Sequence, residues 1–424
     1  MKKILVLCLF FIGLGLTILS QAILPGNGEL TLAASPQELS AYEVWAIDQS
    51  NSLDGTLLGG NLYILSGNDK DFIKGTAKIE QINLGTNAFE EGFEPGKKPH
   101  WTAFNNGATH LIVGHASSGH VYAIDADKHQ VVDVVAPGQN SHAISIAPDN
   151  KFVLVADTPG EQIHKIPTNY EASPGNLFGT VQTLKFDDST RRALGTSAAR
   201  PVVAKIDDTG MWAYVTFGEG GVAIIDLQRM AVAHVYSSTE VTFNGLVGLQ
   251  MGNYFLTNAG NADPAVPDFI YVYDHAALLQ NPYIRPAVTA IAQPGNDIHD
   301  LGIIGGNYIW QLDRASNTIT VNDFGWRSPV NSINLVSTEL GSDPTPDMFD
   351  MSPSGEVVFF SQRGPTPLSA NDPQFYNSVG INPGVGVVKV KKHGKDGKPV
   401  HLYRFDNFVN GNNIADVHAV SVRK

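Results

Sequence analysis

Five residues combine useful chemistry with a shared place in the sequence pattern. His100, His142, His299 and His418 each open a short β-rich stretch, as in "SHAISIAP" and "DVHAVSV", and Asp347 opens another, "PDMFDMSP". Neutral imidazoles suit Zn, Cu, Fe and Ni, and a carboxylate completes a mixed nitrogen and oxygen set. Such a set holds an ion only if its donor atoms converge, because the bonds are about 2.0–2.1 Å long. The competing reading lets each imidazole hydrogen-bond a neighbouring loop and fix a turn instead. A second set lies one strand further on: His115, Asp157, Asn258, Asp313 and Arg363, with Asp48 at the matching point near the start. These read as a face for a ligand or partner. "GHASSGH" (114–120) also places His115 and His120 around a small-residue loop.

The elements that must position these residues are repeats. "SHAISIAPDNKFVLVADTPGEQIHKI" (141–166), "PVVAKIDDTGMWAYVTFGEGGVAIIDL" (201–227) and "PDMFDMSPSGEVVFFSQRGP" (346–365) each run strand, turn, strand, polar loop. Val, Ile, Tyr and Phe alternate within them and Asp, Asn, Pro and Gly separate them, which is the strand-and-turn signal. No stretch is long enough to read as a capped amphipathic helix. Inner strands begin near residues 100, 142, 201, 244, 299 and 347, and three strands from residue 42 onward lack a first strand of their own. The C-terminal "DVHAVSV" is a first strand without a blade. Joining the two gives an all-β, seven-bladed β-propeller of four-stranded antiparallel blades. In ring order His299, Asp347, His418, His100 and His142 then form one arc at the channel mouth. Insertions at 187–200, 259–268 and 363–384 emerge on the same face.

"WAYVTFGEGGVAIIDL" (212–227) resembles the signature of the YVTN-repeat propellers, within the wider WD40-like group, and "FVLVADTPGEQIHKI" (152–166) is a looser copy. "TFGEGG" departs from the Thr-Asn of that repeat, and Thr257-Asn258 in the next blade restores it. The resemblance covers two blades in wording and the others in phase. It implies a propeller that is exported or surface-associated, and it implies no particular chemistry.

Composition narrows the rest. A net charge of −13 leaves no basic stripe for nucleic acid. The one cationic cluster, "KVKKHGKDGK" (389–398), reads as a hairpin turning at its Asp-Gly. Lys2 and Lys3 precede an apolar run from Ile4 to Leu19 and a small-residue ending, the pattern of a signal peptide over 1–22, with cleavage as late as 34 as an alternative. A linker over 23–40 and one propeller domain over 41–424 follow. The only cysteine, Cys8, lies in the leader, so the mature chain offers no disulfide, thiolate ligand or cysteine nucleophile. "DADKHQ" and "DRASNT" lack the spacing of a calcium loop, and no G-x-S-x-G, H-E-x-x-H or phosphate-cradling loop is present. Trp45, Trp101, Trp212 and Trp310 read as packing between blades, and Trp326 beside Arg327 as an exposed pair.

The expectation is an extracytoplasmic, monomeric propeller that binds a protein, peptide, glycan or small molecule through its insertion-bearing face. A membrane would be met only through an uncleaved leader. The alternative is a metal-dependent oxidoreductase or other enzyme, with Cu, Zn or Fe held by the histidine arc. Beyond that candidate metal the sequence points to no cofactor, and it leaves enzyme and binder both open.

Overall fold

The second strand of each repeat is where folding begins to make sense. Phe152–Asp157, Trp212–Phe217 and Val357–Gln362 are buried at every position. Strands covered on both faces read as near-continuous apolar runs rather than alternating ones. Outer strands such as Lys78–Asn83 and Val288–Gln293 expose much of their length, and the first of these is largely polar.

The computed structural model describes residues 40–50, 59–242, 245–325 and 327–424. Among these residues the strands form seven four-stranded antiparallel sheets and one small hairpin, Phe408–Val409 with Asn412–Asn413. From blade one to blade seven the inner strands are Val417–Arg423, Pro99–Phe104, Ala143–Ile146, Pro201–Ile206, Gly248–Met251, Ile298–Ile304 and Pro346–Met351. Each contacts the next, and the last contacts the first, so the sheets form a ring.

Closure is the feature that most affects the site. Val417–Arg423 pairs antiparallel with Tyr42–Asp48, Glu43 opposite Arg423 and Ala46 opposite Val420, completing the blade that Asn61–Gly67 and Lys78–Asn83 continue outward. Val417, Ala419, Val420 and Val422 are all buried there. Between blades, aromatic pairs sit among mostly aliphatic side chains. Tyr214 stacks on Phe255 at 3.8 Å, Trp45 meets Phe104 edge-on at 5.3 Å, and buried Trp310 donates its Nε1–H to the Gly394 carbonyl at 2.6 Å. Such pairs add about 0.5–1.5 kcal/mol beyond the area they bury.

Some details differ from the sequence reading. Short helices do occur, at Asp69–Lys74, Leu84–Glu90, Asp188–Leu194 and His275–Gln280. They escape a periodicity search because one or two turns show no repeating face, yet Asn68 and Asp187 cap two of them through their side chains. The basic hairpin turns at Lys392–Gly394, and Asp396 and Gly397 already belong to the outer strand Asp396–Arg404. Trp101 is only partly buried and lines a cavity of about 480 Å³ toward the far ends of the inner strands, together with Lys205 and Asp300. The fifth inner strand starts at Gly248 rather than near residue 244. The segment expected as a leader, Asn244 and Trp326 lie outside the described residues. None of the described helices is long and apolar enough to cross a membrane.

Candidate functional site

The inner strands carry the arc, and an irregularity in their pairing sets four of its five residues apart from the ladder. This is a β-bulge. Pro99 faces His115 and Trp101 faces Gly114, which leaves His100 without a partner across the ladder. The same skip leaves His299 between Ile298 and Asp300, His418 between Val417 and Ala419, and Asp347 with Met348 between Pro346 and Phe349. A bulge frees one residue from the ladder, bends the strand and re-aims the side chain. Blade four has it too, with Val202 in the freed position, and His142 immediately precedes its own strand.

The imidazoles are not randomly protonated. His142 Nδ1 donates to the Val202 carbonyl at 2.9 Å, and His418 Nδ1 to the His100 carbonyl at 2.7 Å. His100 Nδ1 lies 3.1 Å from Gln49 Oε1, whose amide nitrogen in turn donates to Ser369 Oγ. Carbonyl oxygens only accept, so each ring carries its proton on Nδ1 and turns the lone pair of Nε2 toward the channel. His100 Nε2 and His142 Nε2 stand 3.2 Å apart. Two lone pairs at that distance repel unless a cation or proton lies between them. Two nitrogens bound to one tetrahedral ion would stand about 3.3 Å apart.

Beside this pair, the donor atoms of His299, Asp347 and His418 lie within 4.8 Å of one another. His299 Nε2 is 2.6 Å from Asp347 Oδ1 and His418 Nε2 is 3.8 Å from Oδ2. The His100 and His418 rings stack at 3.8 Å, which joins the two groups into one arc. The donor set and its pinned Nδ1–H groups fit a transition ion, since ligating histidines are normally held through the other ring nitrogen.

Burial keeps these rings neutral. It pushes His100 and His418 well below the ordinary imidazole range, His142 down to about 4, and His299 downward with help from Arg314. Asp347 would rise on burial alone, but the Arg363 charge and the contact with His299 hold it well below the usual carboxylate range.

Two arginines frame the arc. Arg363 clamps Asp416 through Nε and Nη2 at 2.6 and 2.9 Å and reaches Asp347 with Nη1. Arg314 holds Asp297 through Nε at 2.7 Å, while its Nη1 lies 3.4 Å from His299 Nε2 and 3.6 Å from Asp347 Oδ1. Gly364 makes the first clamp feasible: a Cβ there would sit 1.8 Å from the Ala415 carbonyl oxygen. The insertion over 364–383 straps the mouth. Leu368 N–H donates to Asp416, Ser369 meets Gln49 and Arg363, the Ala370 carbonyl accepts from Arg314, and Asn377 donates to Asp297. Ala370 adopts a left-handed backbone, φ 53°, to present that carbonyl. At the edge of the strap, between it and blades four to six, lies a cavity of about 380 Å³ that His299 and Arg314 line.

The second sequence-derived set falls elsewhere. Asp157 binds His164 and the loop at Gln139 and Gly160, and Asn258 bonds Leu246, Val247 and Ile298. Asp313 accepts from Gln311, Thr318 and Thr320, and Asp48 from Ser50 and Asp416. His115 packs against Tyr122, its Nδ1 3.3 Å from the His120 carbonyl, with His120 across a ring separation of 6.5 Å. All five are fully buried and join loops of the blades rather than lining an exposed face. Arg363, expected among them, belongs to the channel arc. Arg314, Asp297, Asp416, Asn377 and Gln49 were not singled out from the sequence. A signal existed: Asp297-Ile298-His299 and Asp416-Val417-His418 repeat one Asp-x-His pattern, and each aspartate takes an arginine at a second-strand end.

No family model matches the chain, and no curated protein matches it. Similar solved structures include a hypothetical selenium-binding protein from Sulfolobus tokodaii, 10% identical over 91% of this chain and 94% of that one, with a TM-score of 0.60. A candidate 6-phosphogluconolactonase from Bacteroides fragilis is 10% identical over 90% and 98%, with a TM-score of 0.57. The Dos1 propeller is 12% identical over 84% and 82%, with a TM-score of 0.53. Likeness at such identity speaks to fold alone, and together with the sheet order it identifies the chain as a seven-bladed β-propeller.

Proposed function

We propose that the chain is an exported metalloprotein of YVTN-like architecture, a metal-dependent enzyme whose site is the histidine arc at the channel mouth. The observation that carries this reading is the facing pair of His100 and His142 Nε2 atoms at 3.2 Å, with their Nδ1 atoms committed to oxygen acceptors. His418, held in the same way, and the His299–Asp347 pair complete a nitrogen-rich set of the kind that takes Cu, Zn or Fe. Cu or Fe there would supply one-electron chemistry, and Zn a Lewis acid. The chain's own residues do the remaining work. The Nδ1–H bonds orient the rings, Arg363 and Arg314 fix Asp347, and the strap keeps bulk water from the arc. The leader pattern of Lys2, Lys3 and Ile4–Leu19 supports export. The partner-binding reading loses ground because most of its residues are buried, which leaves the edge of the strap as the place for a small ligand.

Elemental analysis of purified full-length protein tests this. The expected result is a stoichiometric content of Cu, Zn or Fe and a lower melting temperature after chelation. Absence of stoichiometric metal, with melting unchanged by chelator, would overturn it. Joint substitution of His142 and His418 by alanine should abolish the bound metal.

A further inference from the structure

The cavity of about 380 Å³ beside the arc lies at the lower end of the ligand-pocket range and opens to the surface. Its apolar wall includes Leu246, and its polar lining includes Asn261, Asp297, His299, Arg314 and Asn371. Three observations converge on what belongs there. His299 is 3% exposed and its Nδ1 has no hydrogen-bond partner among the described residues. Arg314, 2% exposed, spends one N–H on Asp297, one on Ala370 and one toward His299 and Asp347, so two of its five remain. The charges around the arc balance without an ion: Arg314, Arg363 and Lys98, whose Nζ reaches the Leu368 carbonyl beside Asp416, face Asp297, Asp347 and Asp416.

A divalent ion would leave two positive charges in excess, and buried charge needs a counter-charge. It would also change His299. With its proton on Nε2, 2.6 Å from Asp347 Oδ1, the neutral ring has only a lone pair at Nδ1. With Nε2 turned to an ion, the proton sits on Nδ1 and becomes a donor. We propose that this cavity is the substrate pocket of the channel-mouth site and takes a small aliphatic carboxylate, its charge held by Arg314 and His299. The planar fork of an arginine matches a carboxylate, and Leu246 offers the alkyl chain an apolar wall. The inference rests on the metal reading above, since the pocket becomes anion-selective only when the arc is loaded.

The test is titration of the Co²⁺-loaded protein with propionate, followed by the visible bands of the ion and by calorimetry. Propionate should shift the bands saturably and propionamide should not. Leu246→Phe, which fills the cavity, should keep the Co²⁺ bands and lose the response, and Arg314→Lys should weaken propionate at least about tenfold. Co²⁺ bands that ignore propionate, or respond equally to propionamide or in Leu246→Phe, would overturn the pocket and leave the metal site standing. If Co²⁺ does not bind, the metal reading fails, and calorimetry on the metal-free protein decides the pocket. Propionate binding there would overturn the charge argument, and its absence the pocket as well.

Discussion

His164 and His275 are as buried as His100 and His418, at 1% and 0% against 1% and 1%, and each lies beside an aspartate. Yet the two pairs of histidines are finished differently. His164 uses one nitrogen on Thr183 and the other on Asp157, and His275 uses one on Tyr214 and the other on Asp207. Those aspartates then gather further donors, Gln162 and Gly160 in one case, Thr209 and Trp212 in the other. Every valence is closed, and the result is a staple within a blade or between two. In the channel each ring closes one valence and leaves the other facing its neighbours. Burial and a nearby carboxylate do not distinguish a staple from a site; the nitrogen left over does.

The largest perturbation tests how far the site depends on the whole ring. Deleting residues 415–424 removes Asp416, His418 and the closing strand, and should cost on the order of 5 kcal/mol or more in lost apolar burial. The cooperative transition should vanish, and a truncated chain that melts like the full one would refute ring closure. Next, Arg363→Met strands Asp347 and Asp416 without their buried partner and should lose about 3–5 kcal/mol in urea denaturation. The sharpest contrast comes from paired alanines. His275→Ala should lose about 3 kcal/mol, because Asp207 and Tyr214 stay buried without it, while metal content is unaffected. His142→Ala, at a half-buried position, should lose under about 1 kcal/mol yet weaken metal binding at least about tenfold. Swapped outcomes would mean the staple and the site have been mistaken for each other.

The smallest effect concerns Asp313, a buried carboxyl with neither histidine nor arginine against it. Burial raises it from 3.8 to about 7, against the bonds from Thr320, Gln311 and Thr318. The native state then keeps a proton that the unfolded chain has lost, so this group's contribution falls as pH rises from about 4 to about 7. Asn titrates in neither state. Asp313→Asn should therefore gain stability relative to the parent protein across that window, read from urea curves at each end. A constant difference would show that Asp313 is ionised in the fold.

The ring was legible because its two loose ends declared themselves: "YEVWAID" needed an inner neighbour and "DVHAVSV" needed a blade. Repeat phase also carried His299, Asp347, His418, His100 and His142 to one arc, since phase fixes which end of the inner strand a residue occupies. It could not say that the side chains converge. For His299, Asp347, His418 and His100 convergence involves bulges, and a bulge is a property of the pairing between strands, invisible in either strand alone. Phase likewise could not show that Asp157, Asn258 and Asp313 are buried, because bonds from each blade's own entry loop or hairpin close the second strand's end, joined at Asn258 by Ile298 of the next blade. The arginine clamps are non-local in the same sense, Arg363 meeting Asp416 across 53 positions.

The bulge separates what the ring needs from what the site needs. At five inner strands it lifts a residue out of the ladder, and the ladder resumes beyond it whether that residue is His, Asp or Val. The freed position is thus a socket, and exchanging its occupant asks nothing of the strand pairing. Val202 fills the socket of blade four, and its carbonyl already anchors His142. Evolution or a designer could rewrite the donor set one socket at a time, changing the chemistry of the mouth while the scaffold beneath is inherited unchanged.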